Sequence, residues 1–131
     1  MSDKIIRKIA VIFVTDVVSF SKLMERDEDQ TLQSFRACKS ILDNLFEEHS
    51  GRIFNTAGDS VLAEFPSAVS AVICAAEFQK LVKERNASVE PLAEMHFRVG
   101  LNMGDVIVEG NNLYGDGVNV AARLEALSQP D

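Results

Sequence analysis

Residues 9–16, IAVIFVTD, contain a continuous apolar run that ends abruptly at Thr15 and Asp16. A short run rich in β-branched residues is typical of a strand that is buried on both faces, as at the centre of a sheet. We therefore expect a central strand over residues 9–14, with Asp16 at its carboxyl end. The elements that follow are predicted from the same kind of pattern.

A helix and a hairpin are predicted next. Apolar residues recur every three or four positions over residues 29–49, which indicates an amphipathic helix, and Ser50 and Gly51 are expected to close it. The segment RIFNTAGDSVLAEF, residues 52–65, has two β-rich halves around a short Ala-Gly-Asp turn. This pattern is typical of a hairpin.

A second helix and a half-buried strand come after the hairpin. Pro66 and Ser67 are typical of a helix start, and the alanine-rich helix behind them is expected to pack closely on a sheet. In residues 95–103, apolar side chains alternate with polar residues or glycine, which predicts a strand with one buried face. Cys38 and Cys74 fall on apolar helix positions without zinc-site spacing, so we expect buried, reduced thiols.

The final segment is expected to add two elements. We predict that Gly104 and Asp105 turn the chain into a fifth strand at residues 106–108, and that a last helix begins near Val118 with Asp116 as its N-cap. The order is then βαββαβ followed by an extra strand and helix. The predicted fold class is α+β, built on a ferredoxin-like sandwich. A chain of 131 residues is one domain's worth.

Charge and hydropathy exclude several classes of function. Twenty acidic and 13 basic residues give a net charge of −7, which disfavours nucleic acid as a partner because that binding depends on clustered Lys and Arg. The amino terminus is basic, but no small-residue cleavage site follows, and no stretch approaches the length of a membrane span. We expect a cytoplasmic protein.

Asp16 and Asp59 are the residues that first suggest chemistry. Asp16 ends the central strand and Asp59 lies at the tip of the hairpin, so the two carboxylates are predicted to converge at one edge of the sheet. Hard divalent cations such as Mg²⁺ prefer a few carboxylate oxygens completed by water and phosphates. The spacing alone leaves a second interpretation open, because aspartate is also a common turn residue.

Four segments resemble the class III adenylate and guanylate cyclase family, in its bacterial type. They occur in the order that is typical of the family and on a matching pattern of strands and helices. The segments are VTDVVSFSKL at 14–23, NTAGDSVLAEF at 55–65, FRVGLNMGDV at 97–106 and YGDGVNVAARLE at 114–125.

The resemblance implies a homodimer with two composite active sites at the interface. Asp16 and Asp59 match the two metal-binding aspartates of the family, and the carbonyl of Val17 matches a third ligand. Each site is then expected to hold two ions, Mg²⁺ or Mn²⁺. Asn119 and Arg123 match the asparagine that orients the ribose and the arginine that stabilises the transition state, which the other subunit supplies.

The resemblance also assigns substrate contacts. The triphosphate is expected to be wrapped by the backbone N–H groups of Val17, Val18, Ser19 and Phe20. The family usually has glycine where this chain has Ser19. The family reads the base with a lysine and an aspartate, and this chain has Asn55 and Asn112 at those positions. Two amides fix no single donor and acceptor pattern, so we expect ATP as the substrate without excluding GTP.

Two further departures concern the phosphates. Asp105 stands where some members have a phosphate-binding arginine, and a carboxylate there would repel a phosphate unless it points away. The family domain also continues with strands that carry a phosphate-binding lysine. We therefore expect residues 1–131 to be a single catalytic domain that is incomplete at its carboxyl end and folds poorly as an isolated active enzyme.

The sequence favours a lyase that makes a 3′,5′-cyclic nucleotide, cAMP before cGMP, and pyrophosphate by two-metal catalysis. Neither His49 nor His96 is expected to act as a general base. The main alternative is a non-catalytic cyclase homology domain that binds nucleotide or dimerises in signalling. A diguanylate cyclase or polymerase palm shares the frame. This chain, however, lacks the Gly-Gly-Asp/Glu-Glu-Phe hairpin that this interpretation requires, and the interpretation does not explain Asn119 and Arg123.

Overall fold

The computed structural model describes residues 5–129, so the first four residues of the basic amino-terminal stretch, and Pro130 and Asp131, lie outside the described part. The frame is a five-stranded antiparallel sheet in the order β2-β3-β1-β4-β5. The strands are Ile6–Val17 (β1), Arg52–Ala57 (β2), Ser60–Phe65 (β3), Phe97–Glu109 (β4) and Asn112–Tyr114 (β5). The helices are Phe20–Arg26 (α1), Glu28–His49 (α2), Ala68–Ala87 (α3) and Asp116–Leu127 (α4).

The central strand is buried on both faces, as its unbroken apolar sequence predicts. Ile12 and Phe13 point to opposite faces of β1 and both have 0% exposure. Phe13 packs in a core with residues of α2 and α3, whereas Ile12 packs in a second core with Ala121 of α4. The sheet therefore has helices on both sides, and β1 carries Asp16 out of the middle of the molecule.

The frame β1-α2-β2-β3-α3-β4 confirms the predicted ferredoxin-like sandwich, with β5 and α4 as additions. Helix α1 was not predicted, because its seven residues are too few to show a clear period. Cys38 and Cys74 are free and buried, as expected, and burial raises the pKa of the Cys74 thiol to about 12. Between residues 5 and 129, no helix is long and apolar enough to cross a membrane.

The helix boundaries show which sequence signals act. Ser67 caps α3 by accepting a hydrogen bond from the Ser70 N–H, as the sequence indicates. At the end of α2, Ser50 and not Gly51 takes the left-handed conformation, with φ of 61°. A Cβ atom on Gly51 would lie 2.8 Å from the Phe65 ring, so this glycine is needed for space rather than for helix termination.

Two predictions for the carboxyl-terminal segment are wrong. Gly104 and Asp105 do not turn the chain, because they pair with Ala10 and Ile9 and β4 runs on to Glu109. The fifth strand is therefore β5, which begins at Asn112 rather than at residue 106. Pairing along the whole of β1 stabilises this longer strand, and local turn signals do not reveal such pairing.

The last helix also starts earlier than predicted. Gly115 is its N-cap and Asp116 is its first residue, so Asp116 is not the cap. Its carboxylate lies in the first turn, where it interacts favourably with the positive end of the helix dipole. The expected start near Val118 is wrong by about half a turn.

Candidate active site

Asp16 lies one residue before the end of β1, directly opposite Arg98 of β4. Its side chain is half-buried, because the strand emerges from the core at this point. The neighbouring Thr15 is fully buried, and its Oγ1 donates a hydrogen bond of 2.7 Å to the Arg98 carbonyl. These contacts fix the backbone on either side of the carboxylate.

Asp59 reaches the same end of β1 from the hairpin turn. Gly58 precedes it with φ of +58°, a conformation that favours glycine in a tight turn. Oδ2 of Asp59 accepts a hydrogen bond of 2.8 Å from the Val17 N–H. This long-range bond ties the hairpin tip to the residue after Asp16, so the structure brings the two predicted aspartates to one edge of the sheet.

Arg98 forms an ion pair with Asp16 that the sequence did not reveal. Its Nη2 lies 3.2 Å from Oδ2 of Asp16, and its Nε lies 3.3 Å from Oδ1. Nη1 donates a hydrogen bond of 3.3 Å to the Ala126 carbonyl near the end of α4. Arg98 was interpreted only as a polar residue on the solvent side of a strand, because its partner depends on the register of β1 and β4.

Glu125 of α4 is the second site residue that the sequence missed. It is 5% exposed, and its Oε1 lies 3.4 Å from Nε of Arg98. That approach is within ion-pair distance but does not meet hydrogen-bond geometry, so Oε1 lacks a hydrogen-bond donor among residues 5–129. A charged residue on the sheet-facing side of an amphipathic helix is the signal that could have found it.

The electrostatics of Glu125 follow from its surroundings. The pKa of its carboxyl is raised to about 8, mainly by burial. A hydrogen bond with Asp16 and the negative charges of Asp16 and Asp59 also raise this pKa, whereas the charge of Arg98 lowers it. The hydrogen bond with Asp16 raises the pKa of the Arg98 guanidinium, which therefore stays charged. Three acidic side chains, Asp16, Asp59 and Glu125, thus meet one guanidinium at this end of β1.

The backbone segment predicted to wrap a triphosphate is partly committed to other bonds. The Val17 N–H donates to Asp59, and the Val18 N–H donates to the His96 carbonyl at 2.8 Å. Ser19 has φ of 57°, the left-handed conformation that glycine adopts without strain. The expectation of backbone donors from Val17 to Phe20 therefore narrows to Ser19 and Phe20.

The two asparagines predicted to contact the base lie on β2 and β5, the two edge strands of the sheet. Asn55 is exposed on β2, beside an irregularity in the pairing with β3. Asn112 begins β5, where its Oδ1 accepts a bond of 2.8 Å from the Leu113 N–H and its Nδ2 donates to the Tyr114 hydroxyl at 3.1 Å. The Arg52 guanidinium also donates to the Asn111 carbonyl at 2.7 Å, which draws β5 toward β2.

Asn119 and Arg123 are exposed on α4, as two residues four apart on one helix face can be. The buried residues of α4 are Gly117, Ala121 and Glu125, which face the sheet. No described hydrogen bond or ion pair connects Asn119 or Arg123 with the aspartates of the same chain. Within one copy of the chain, the described contacts therefore do not link all the predicted site residues.

Asp105 and the two histidines lie away from the paired aspartates. Asp105 is exposed and pairs with Ile9, seven residues along β4 from Arg98, which is roughly 23 Å in an extended strand. His49 closes α2, and its Nε2 lies 3.2 Å from a carboxylate oxygen of Glu77 on α3. His96 precedes β4 rather than lying within it, so its predicted place on a strand face is wrong.

Comparison with known proteins gives one consistent family. The family model described as "Adenylate and Guanylate cyclase catalytic domain" matches residues 1–131. "Putative adenylate cyclase 3" of Rhizobium meliloti (strain 1021) is 46% identical over 129 residues, which cover 98% of this chain and 22% of that protein. The chain thus spans about a fifth of the length of this curated relative.

Solved structures agree with the sequence match. The adenylate/guanylate cyclase/hydrolase from Silicibacter pomeroyi has a TM-score of 0.88 and 35% identity, covering 97% of this chain and 74% of that one. A bacterial light-regulated adenylyl cyclase has a TM-score of 0.84 and 29% identity, covering 93% and 71%. Both the sequence and the arrangement of helices and strands therefore lead to the same conclusion: the chain belongs to the adenylate and guanylate cyclase catalytic domain family.

Proposed function

We propose that this chain acts as a catalytic domain that converts a nucleoside triphosphate into a 3′,5′-cyclic nucleotide and pyrophosphate. The observation that carries this proposal is the bond from Val17 to Asp59, which holds a second carboxylate beside Asp16. Two converging carboxylates repel each other unless cations lie nearby. This arrangement is therefore expected where the chain has a use for a cation.

The donor atoms at this end of β1 fit a hard divalent cation. Asp16 and Asp59 offer carboxylate oxygens, the Val17 carbonyl offers a third, and both side chains are half-buried rather than enclosed, which leaves room for water and phosphates. We infer that these three residues hold two ions, Mg²⁺ or Mn²⁺, in each site. When bound, the ions lower the pKa of the ribose 3′-hydroxyl and offset the charge of the phosphates.

The remaining residues orient the substrate in this account. The N–H groups of Ser19 and Phe20 bind phosphate oxygens, and the amides of Asn55 and Asn112 contact the base. The ribose 3′-oxygen forms a bond to the α-phosphorus while the bond to pyrophosphate breaks, and the 3′-hydroxyl proton passes to water. ATP is the favoured substrate and GTP is the second candidate.

Asn119 and Arg123 act in the site of a second copy of the chain. Their exposed position on α4 supports this assignment, because they are accessible to a partner but make no described contact with their own aspartates. Asn119 orients the ribose, and Arg123 meets the negative charge that develops at the α-phosphate. The active species is then a homodimer with two composite sites, and we place it in the cytoplasm.

The test is a product assay on the full protein. ATP and GTP are supplied separately with Mg²⁺ or Mn²⁺, and cyclic nucleotide is measured. Asp59→Asn is the sharpest control, because an amide oxygen can still accept the bond from Val17 while the negative charge is lost. We expect product from the wild type and about 100-fold less from the variant. Nucleotide binding without any cyclic product would reject catalysis.

The ion pair between Arg98 and Asp16 favours a second candidate, a non-catalytic domain that binds nucleotide or dimerises. A guanidinium on a metal-binding carboxylate neutralises the charge that a cation would need. The same assay separates the candidates, because a non-catalytic domain binds nucleotide equally well with and without the Asp59→Asn change and makes no product with either.

A further inference from the structure

Arg98 forms an ion pair with Asp16, the carboxylate that the proposed function assigns as a metal ligand. Its two N–H groups lie 3.2 and 3.3 Å from the two oxygens of Asp16. These distances are long for charge-assisted hydrogen bonds, which are typically about 2.7–2.9 Å. The guanidinium therefore neutralises Asp16 without holding it tightly, and a cation that binds Asp16 must compete with it.

A second acceptor for the Arg98 guanidinium lies nearby, on Glu125. Nε of Arg98 lies between two acceptors, 3.3 Å from Oδ1 of Asp16 and 3.4 Å from Oε1 of Glu125. Oε1 of Glu125 is buried and receives no hydrogen bond from residues 5–129. An unfilled buried acceptor costs free energy, so a donor that turns toward it is stabilised. A carboxyl oxygen can accept such a bond whether or not the other oxygen carries a proton.

The receiving residue is held rigidly in place. A Cβ atom on Gly100 would overlap the Glu125 backbone nitrogen and lie 2.5 Å from the Ala121 carbonyl oxygen, so α4 packs directly on the β4 backbone. Nη1 of Arg98 is already bonded to the Ala126 carbonyl on the same helix. A small rotation of the guanidinium about that anchor changes the partner of Nε without moving β4 or α4.

We propose that Arg98 is the resident counter-cation of Asp16 and that its Nε–H transfers from Asp16 to Oε1 of Glu125 when a divalent cation binds. The inference rests on the proposed function in one respect, the assignment of Asp16 as a metal ligand. Arg98 and Glu125 are positioning residues, because they act on the cation through Asp16. Arg98 offsets the charge of Asp16 before the cation binds. Glu125 then draws the Nε–H away from Oδ1 of Asp16, which frees that oxygen for the cation.

Metal affinity separates this role from a merely structural one. Loss of Arg98 removes the competing charge, so Mn²⁺ should bind more tightly. Loss of the acceptor on Glu125 leaves the Nε–H of Arg98 bonded to Oδ1 of Asp16, so Mn²⁺ should bind more weakly. A purely structural clamp predicts weaker binding in both cases, because both changes would loosen the site.

The experiment is a titration of the full chain with Mn²⁺ alone, with free Mn²⁺ measured by electron paramagnetic resonance. We expect Arg98→Gln to tighten binding about threefold to tenfold and Glu125→Leu to weaken it by a similar factor. Glu125→Gln retains an oxygen acceptor and should stay within about twofold of the wild type. Asp16→Asn should abolish the Arg98→Gln effect when the two changes are combined.

Several outcomes would overturn the proposal. Weaker or unchanged Mn²⁺ binding by a folded Arg98→Gln variant, checked by thermal unfolding, contradicts it. If Arg98→Gln does not fold, equal binding by Glu125→Leu and Glu125→Gln contradicts it instead. Wild-type binding that does not depend on Asp16 removes its basis. An absent cyclic product with the expected Mn²⁺ shifts would reject only the proposed function and support the counter-cation assignment.

Discussion

The two aspartates and the pair on α4 differ in how the chain holds them. Asp16 and Asp59 are fixed by bonds from β4 and from the Val17 backbone, and both are half-buried. Asn119 and Arg123 lie on an exposed helix face that also displays apolar side chains. The large exposed apolar residues of that helix are Val120, Leu124 and Leu127.

This difference teaches which part of the chemistry one chain can prepare by itself. The acidic half of the site has its geometry set by the fold, so a cation that binds there would meet a prepared carboxylate pair. The half on α4 has no such support within the chain, and its surroundings resemble a surface that another protein covers. The two halves meet where α4 packs on β4, at Gly100, Arg98 and Glu125.

Gly100→Ala should break both halves and have the largest effect. The added methyl group would overlap the backbone of Ala121 and Glu125, which cannot move without displacing α4. We expect a loss of about 3 kcal/mol or more in the free energy of unfolding, measured by urea denaturation. Gly110→Ala is the control, since Gly110 has φ of +59° but open space around it, and it should cost about 1 kcal/mol.

Mixing two inactive variants should show whether the halves act across a dimer. Asp59→Asn and Arg123→Ala should each lower product formation about 100-fold, while Arg123→Ala leaves the unfolding free energy nearly unchanged because the side chain is exposed. Mixed dimers have one site with both changes and one with neither, so activity should return to about a quarter of the wild type. No recovery, with mixed dimers verified by mass, would place both residues in one chain's site.

Stability should depend on pH through Glu125, at the junction of the two halves. Its folded-state pKa, about 8, lies above the ordinary value of 4.5, so its contribution to stability is fully present below pH 4.5 and is lost as pH rises toward 8. The full difference in pKa would correspond to a larger loss, and screening by solvent reduces it, so we expect a fall of about 2 kcal/mol between pH 5 and pH 8. Glu125→Gln cannot ionise and should flatten this part of the curve in urea unfolding at each pH. If the unfolding free energy of Glu125→Gln depends on pH as steeply as that of the wild type, Glu125 is not the cause of this dependence.

The sequence predicted the parts of the molecule that local patterns determine. The apolar run before Asp16 and the period of α2 led to the correct frame, because burial on one or two faces leaves a direct pattern in the chain. The continuous β4 and the partnership of Asp16 with Arg98 could not be predicted, since both depend on strand register. Arg98 and Glu125 are distant in sequence from Asp16, so only the folded chain shows that they meet.

Ser19→Gly should give the smallest effect and tests the edge of the acidic half. Glycine removes the left-handed strain, which costs about 1 kcal/mol, but loses more entropy on folding, so we expect a gain of about 0.5 kcal/mol. Ser50→Gly is a matched control, with φ of 61° at the far end of α2, and should gain a similar amount. Only Ser19→Gly should change the KM for the nucleotide, because Ser19 lies three residues after Asp16 whereas Ser50 is the C-cap of α2. Equal KM values for both variants and the wild type would remove the Ser19 backbone from the substrate contacts.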